Sequence, residues 1–370
     1  MYILSIDTSC DDTSIAISNN LNILANVFWS KLKVHNDWGG VVPSEAKRQH
    51  DEFLGPAIEA ALKEANLTIE EIDIIAVTYG PGLAIALESG IKKAKELAIK
   101  HNKKFIAVNH MIGHIYANLA NDKDGNSLSS LNENNFEGFK FPALALTISG
   151  GHTDLYLMED HLKFKHIGKT LDDAVGESFD KVGRMLGMGF PAGAKIEQAA
   201  KNGNENAFNF PRPLSNSNDF NWSYSGLKTA VLYEVKKLLG EYESKPGKNK
   251  FKFEDNSGKL NEAQVADIAA SFQLAASESL IIKIKKALLT YSETKMLIIG
   301  GGVIANQSIR QKLEALAAEF NIQLTYPKPM WLCTDNAAMI ATAAYYYAKQ
   351  NKYVQQNEIE KLDRVPNLEI

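Results

Sequence analysis

The chain has 370 residues, 45% of them hydrophobic and 23% charged, an ordinary globular composition with room for two lobes. A formal net charge of −4 excludes polyanion binding by the molecule as a whole, so any contact with nucleic acid falls to a local basic patch or to a partner. Two cysteines, Cys10 and Cys333, exclude a disulfide framework, and no uninterrupted apolar run nears the ~18 residues of a membrane span. A cytoplasmic protein with no membrane partner is therefore expected.

In chain order, Tyr2–Asp7 reads as an apolar strand ending on an acid, and Ser14–Ser18 and Ile23–Ser30 complete a three-stranded meander. From about 44 to 65 the residues Ala46, Leu54, Ala57, Ile58 and Ala61 keep a helical period. A strand at Ile72–Thr78, the loop Gly80-Pro81-Gly82 and a helix from about Ile85 to Lys100 follow. The second half repeats this order. Ala143–Ser149, Thr153–Met158 and Leu162–Ile167 form a second meander, and a long helix at about 262–289 leads to the strand Lys295–Ile299. Gly300-Gly301-Gly302 and a helix from about Asn306 to Phe320 close the repeat. The same elements in the same order predict two like-folded α/β lobes with a cleft between them.

The expected divisions are a first lobe over 1–120, a linker loop over 121–141, a second lobe over 142–334 and a tail over 351–370. A helix at about 335–350 is expected to pack back on the first lobe. Residues 121–139 are polar and read as a surface loop. The lysine-rich stretch 245–259 reads as a solvated insertion. The tail after about Lys352 is polar and is expected to be disordered.

Three turns carry candidate chemistry. Asp7-Thr8-Ser9-Cys10-Asp11-Asp12-Thr13 offers backbone N–H groups for a phosphate and acids for a metal or water, although such residues also simply favour turns. Ser149-Gly150-Gly151-His152-Thr153 stands in the matching turn of the second lobe, where two glycines let a ligand approach the main chain. Gly300–Gly302 fits a nucleotide at a helix N-terminus but lacks the pattern of a P-loop. His110 and His114 stand i, i+4 at the start of a helix, a spacing suited to one metal ion. No Glu follows the first histidine, so a zinc protease loses its general base. Asp335 is the candidate third ligand, with capping of the helix that follows as the plainer explanation.

Together these segments resemble the TsaD family. The matching runs are Asp7–Asp11, Gly39-Gly40-Val41-Val42-Pro43, Gly80–Leu83, His110-Met111-Ile112-Gly113-His114 and Ser149–Thr153, then Phe179-Asp180-Lys181, Tyr224–Thr229, Gly301-Gly302-Val303 with Asn306, and Cys333-Thr334-Asp335-Asn336. The resemblance implies the duplicated actin, heat-shock-ATPase and sugar-kinase fold. It also implies transfer of threonylcarbamoyl from threonylcarbamoyl-adenylate to the N6 amine of the transfer-RNA adenosine just 3′ of the anticodon. It assigns His110, His114 and Asp335 to a divalent metal, usually iron or zinc. It places Thr147, Ile148, Ser149, Gly150 and Gly151 against the substrate, and Asp180, Gly193, Glu197 and Asn306 around its nucleotide. Asp11 falls in the catalytic region. A paralogous scaffold subunit and a small ATPase are the partners it implies. Asp12, Ile112 and Ala192 depart from the common bacterial pattern of Glu, Glu and Gly. Two other readings of the fold are a kinase or ATPase, which needs no histidine pair, and a non-catalytic scaffold paralogue.

Overall fold

Strand β1 (Tyr2–Asp7) buries both faces, with Leu4 and Ile6 on one side and Ile3 and Ser5 on the other. Alternation along a strand sends successive side chains to opposite faces, and each buried Ile or Leu contributes ~1.5–3 kcal/mol. It pairs antiparallel with β2 (Thr13–Asn19), which pairs with β3 (Asn22–Trp29). On its other edge β1 pairs parallel with β4 (Ile74–Gly80), which pairs parallel with β5 (Lys104–Asn109). In this computed structural model residues 1–30, 42–131, 138–242 and 258–370 are described. Gly39–Val41 and nearly all of the lysine-rich stretch lie outside them.

The first sheet has the order β3-β2-β1-β4-β5. In the second sheet β6 (Ala143–Ile148), β7 (Thr153–Asp160) and β8 (Lys163–Lys169) form the meander, and β9 (Met296–Gly300) and β10 (Gln323–Thr325) run parallel beside β6. Its order, β10-β9-β6-β7-β8, is the same topology, so the duplication extends to strand pairing. This is the duplicated actin/sugar-kinase-like α/β fold.

Helices α1 (Pro43–Ala65) and α2 (Ala84–Lys100) cover one face of the first sheet, with Leu54, Ile58, Leu87 and Ile91 packed on Leu4, Ile6, Ile75 and Val77. In the second lobe α4 (Val175–Met185), α5 (Gly193–Ala200), α6 (Ser225–Leu238), α7 (Glu262–Thr290) and α8 (Gln307–Glu319) form the corresponding layer. Among the described helices α7 alone is long and apolar enough to cross a bilayer by length and composition. Its Ala269, Phe272, Ala276, Leu280 and Ile284 are fully buried under protein, which makes it the central helix of the second core.

A third core lies between the sheets. There α3 (His110–Tyr116) and α10 (Ala337–Lys349) pack together against Ile3, Ala76 and Val108 of the first sheet and Tyr156, Met296 and Ile298 of the second. Ser5 Oγ donates to Ala337 O (2.7 Å) and Ala337 N to Ser14 Oγ (2.9 Å), tying the start of α10 to the first lobe.

One expectation, that of the tail, needs correction. The 121–139 segment is a surface loop as expected, with residues 123–126 exposed, and main-chain bonds anchor it: Ile23 N donates to Asn121 O, Ser130 N to Tyr326 O, and Lys328 N to Leu128 O. Ser129 and Phe139 are buried; residues 132–137 fall outside the described set. The tail is ordered. Ile359 is fully buried in the first-lobe core, and Val354 N donates to Phe105 O (2.9 Å). A polar composition did not reveal these anchors, because main-chain groups supply most of the hold.

Candidate active site

Strand β5 runs straight into α3, and Asn109 caps the join, its Oδ1 accepting from Met111 N (2.8 Å) and Ile112 N (3.3 Å). The i, i+4 spacing then sets the His110 and His114 rings edge to face with centroids 4.7 Å apart. Gly113 lets α3 press on α10, since a Cβ there would lie 2.8 Å from Ile340 Cδ1.

Asp335 arrives from the other end of the chain, between the short helix α9 (Met330–Cys333) and α10. Asn336, not Asp335, caps α10, its Oδ1 accepting from Met339 N (3.0 Å). The capping explanation of Asp335 therefore fails. Its carboxylate faces the histidines instead, with Oδ1 3.3 Å from His110 Nε2 and 3.1 Å from His114 Nε2. One potential ligand atom from each of the three residues lies within 4.8 Å of the others.

The donor set fits a metal. Both ring nitrogens of His114 are buried with no hydrogen-bond partner, although Nε2 is only 3.1 Å from the carboxylate, so the ring does not aim its N–H along that line. A buried nitrogen left unpartnered costs ~1–3 kcal/mol, and an ion shared with Asp335 would relieve that cost at Nε2. Two imidazoles and a carboxylate suit zinc or iron. Asp7, buried at the end of β1, lies 3.7 Å from His110 Nδ1 and is placed to orient that ring. Burial pulls the His110 pKa down, but Asp335 and Asp7 win and push it up to about 10. For His114 burial and the neighbouring His110 charge prevail, and its pKa is lowered. Burial opposes the Asp335 charge, yet the two histidines hold its carboxyl well below the usual range.

A cleft of about 500 Å³ opens beside this trio, with walls from both lobes. Cys10, Pro81 and Leu83 of the first lobe face Ser149–His152 and α4 of the second, and His110 and Asp335 are part of the wall. Ser149 closes its turn locally: its N donates to His152 O (2.9 Å), and His152 N donates to Ser149 Oγ (3.1 Å). A Cβ on Gly150 or Gly151 would meet nothing within 4 Å, so these glycines leave the cleft open rather than satisfying the turn. Thr147 and Ile148 are buried in β6 behind them. Asp180 lines the cleft and accepts from Ala192 N (2.8 Å); burial raises its pKa against the pull of the Ala192 and Gly193 N–H groups.

The remaining expected residues stand elsewhere. Asp11 is half-buried next to Cys10 in the chain and is not among the residues that line the cleft. Gly193 begins α5. Glu197 Oε1 accepts from Gln307 N (2.7 Å), and Asn306 caps α8 through Ile309 N (3.0 Å) while donating to Gln273 Oε1 (2.8 Å). Glu197 lines a separate cavity of about 210 Å³ at the start of α8. Of the third glycine run, Gly300 serves packing: a Cβ there would lie 2.5 Å from His114 O. Gly301 adopts φ +94 against Ile148 O, a conformation glycine accepts without strain. Both thiols stay protonated, Cys333 with a pKa pushed up to about 11 by burial and Cys10 raised by burial and Asp11.

Sequence reasoning missed Glu177 and Arg184, which share the cleft face of α4 with Asp180 and Lys181. Their i, i+3, i+4, i+7 spacing was the available signal. It also missed Asp7 as the partner of His110.

Fold and site together define a class: a two-lobed protein of the actin/sugar-kinase-like type whose interlobe cleft carries a His-His-Asp group with both histidines buried. The model of the family described as TsaD, tRNA N6-adenosine threonylcarbamoyltransferase, matches residues 22–342. The chain is 42% identical to the protein of that name from Thermosipho africanus, covering 100% of both chains. It is 43% identical to that from Kosmotoga olearia, covering 95% of this chain and 94% of the relative. Among solved structures, HypF from T. kodakarensis matches in fold with a TM-score of 0.58 at 14% identity, over 98% of this chain and 50% of that one. The chain belongs to the TsaD family of transferases.

Proposed function

We propose that this chain moves the threonylcarbamoyl group of threonylcarbamoyl-adenylate onto the N6 amine of the transfer-RNA adenosine 3′ of the anticodon, in the cytoplasm. The observation that carries the reading is the His110–His114–Asp335 group at the wall of a cleft that both lobes shape, beside the open Ser149–Gly151 turn. The three side chains would hold one divalent metal, iron or zinc. When bound, it supplies positive charge against the oxygen charge that grows as the acyl carbon is attacked.

The chain's own residues do the rest. The Ser149–Gly151 main chain, unobstructed by side chains at 150 and 151, gives the acyl group a close seat backed by Thr147 and Ile148. Asp180, anchored on Ala192 N–H, retains acceptor capacity for a ribose hydroxyl. Arg184 brings positive charge to the same wall for the adenylate phosphate. Glu197 and Asn306, which do not line the cleft, are assigned to the nucleotide from the start of α8, where Glu197 would have to exchange its bond from Gln307 N. In the reaction the N6–carbonyl bond forms, the carbonyl–phosphate bond breaks, adenylate leaves and N6 gives up a proton. Adenine's amine is a poor nucleophile, so positioning supplies much of the rate. Asp11 is assigned to orient that amine or take its proton. A paralogous scaffold subunit and a small ATPase belong to the same reading.

Single-turnover assays with purified threonylcarbamoyl-adenylate, transfer RNA and the assembled partners test it, with nucleoside analysis as the readout. Product should form with wild type, and Asp11→Asn should lower its rate by ~10²–10⁴ with the melting temperature retained. Absence of product with wild type overturns the function; normal turnover by the variant reduces Asp11 to a turn residue.

A further inference from the structure

The 351–370 segment crosses the first lobe and reaches the second. Val365 N donates to Tyr79 O (2.8 Å), and Gly82 N donates to Pro366 O (3.1 Å). A Cβ on Gly80 would lie 2.0 Å from Val365 O, so the segment sits directly on the end of β4. Beyond Pro366, Ile370 packs on the interlobe core, and polar bonds hold Glu369. Asn109 Nδ2 reaches Glu369 O at 3.5 Å, and the Glu369 carboxylate crosses to Lys169 of β8 at 3.0 Å.

Residues Pro366–Glu369 thereby wall a second cavity of about 250 Å³, whose second-lobe side includes His152, His166 and Lys169. This cavity shares Pro81, Gly151 and His152 with the main cleft, so a chain-like substrate leaving the cleft over Gly151 passes Lys169. His166 is fixed next to it, with Nε2 3.0 Å from Asp154 Oδ1 and its ring stacked on Tyr156. The bond from Lys169, its charge and that of His166 lower the pKa of the Glu369 carboxyl.

The Lys169–Glu369 pair is exposed on both sides, 50% and 70%, and pairs of that kind contribute only ~0–1 kcal/mol. A phosphodiester offers the same anionic oxygens and gains from counterion release. With a net charge of −4, RNA that touches this chain directly does so at local cations, the alternative being contact through a partner.

We propose that Lys169, with His166 beside it, is a binding site for a phosphodiester of the RNA substrate, and that Glu369 fills this site as an internal carboxylate until RNA displaces it. The proposal rests on the transferase reading above. Binding of an unmodified transfer-RNA transcript to the full chain, followed by fluorescence anisotropy at several salt concentrations, tests it. Lys169→Gln should weaken binding about 3–10-fold and lower the salt slope by about 1. Glu369→Gln should tighten binding about threefold, and the double variant should match Lys169→Gln within about twofold, because Glu369 acts only through Lys169. An unchanged Lys169→Gln affinity, no RNA binding by wild type, or an additive double variant overturns the site. If wild type still forms threonylcarbamoyl adenosine in such a case, the phosphate site alone has failed. If wild type forms none, the parent reading has failed.

Discussion

Metal uptake by this protein should expel about one proton. With no ion bound, Asp335 and Asp7 hold the His110 pKa at about 10, while burial keeps that of His114 below 6.5. A coordinating imidazole must be neutral. At about pH 7.5 His110 therefore holds its proton, and releasing it costs on the order of a few kcal/mol. Apparent affinity for Zn²⁺ should rise about tenfold per unit between about pH 6.5 and 8.5. Calorimetry in two buffers of different ionisation enthalpy should count about one proton per ion. His110→Ala should abolish uptake, whereas Asp335→Asn should weaken it and cut proton release, since the charge that raises His110 is gone. The metal-free fold carries the opposite dependence: the stabilisation of protonated His110 is complete below about pH 6.5 and fades as pH rises toward 10. An affinity flat across this range, or wild-type uptake without proton release, would refute the account.

Gly300→Ala should cost ~1–3 kcal/mol in urea unfolding and weaken metal binding, because its Cβ would lie 2.5 Å from His114 O; Gly150→Ala, with nothing within 4 Å, should change stability by no more than ~0.5 kcal/mol. Equal losses in the two variants would remove the packing argument. Asp172 accepts from Ser223 Oγ, Ser225 Oγ, Tyr224 N and Ser225 N at the start of α6, so Asp172→Ala should cost ~1 kcal/mol. Against the pull of burial, those donors lower its pKa. The contribution is therefore present above about pH 4 and lost as pH falls, and the stability gap between wild type and variant should close in acid. A gap that persists unchanged there would assign the loss to packing.

Much of the fold was legible because its signals are local. Alternation in Tyr2–Asp7, the 3.6-residue period of α1 and the glycines after β9 each depend on neighbours a few positions away. The repeated order of elements went further, and both sheets carry it in the same strand topology. Two of the three candidate metal ligands were also local, since residues four apart on one helix face the same way.

What the sequence by itself determined, then, is the set of elements, their duplication and the His110–His114 pair. Only the tertiary structure decided whether Asp335 faces those histidines or caps α10, a choice settled by a one-residue difference at Asn336. It alone brought Asp7 beneath His110, turned α4 so that Arg184 lines the cleft, and laid Pro366–Glu369 between the lobes. These are contacts between segments far apart in the chain. Their geometry comes from how helices and sheets pack around shared cores and from main-chain bonds such as Gly82 N to Pro366 O, and no local pattern of residue types encodes it.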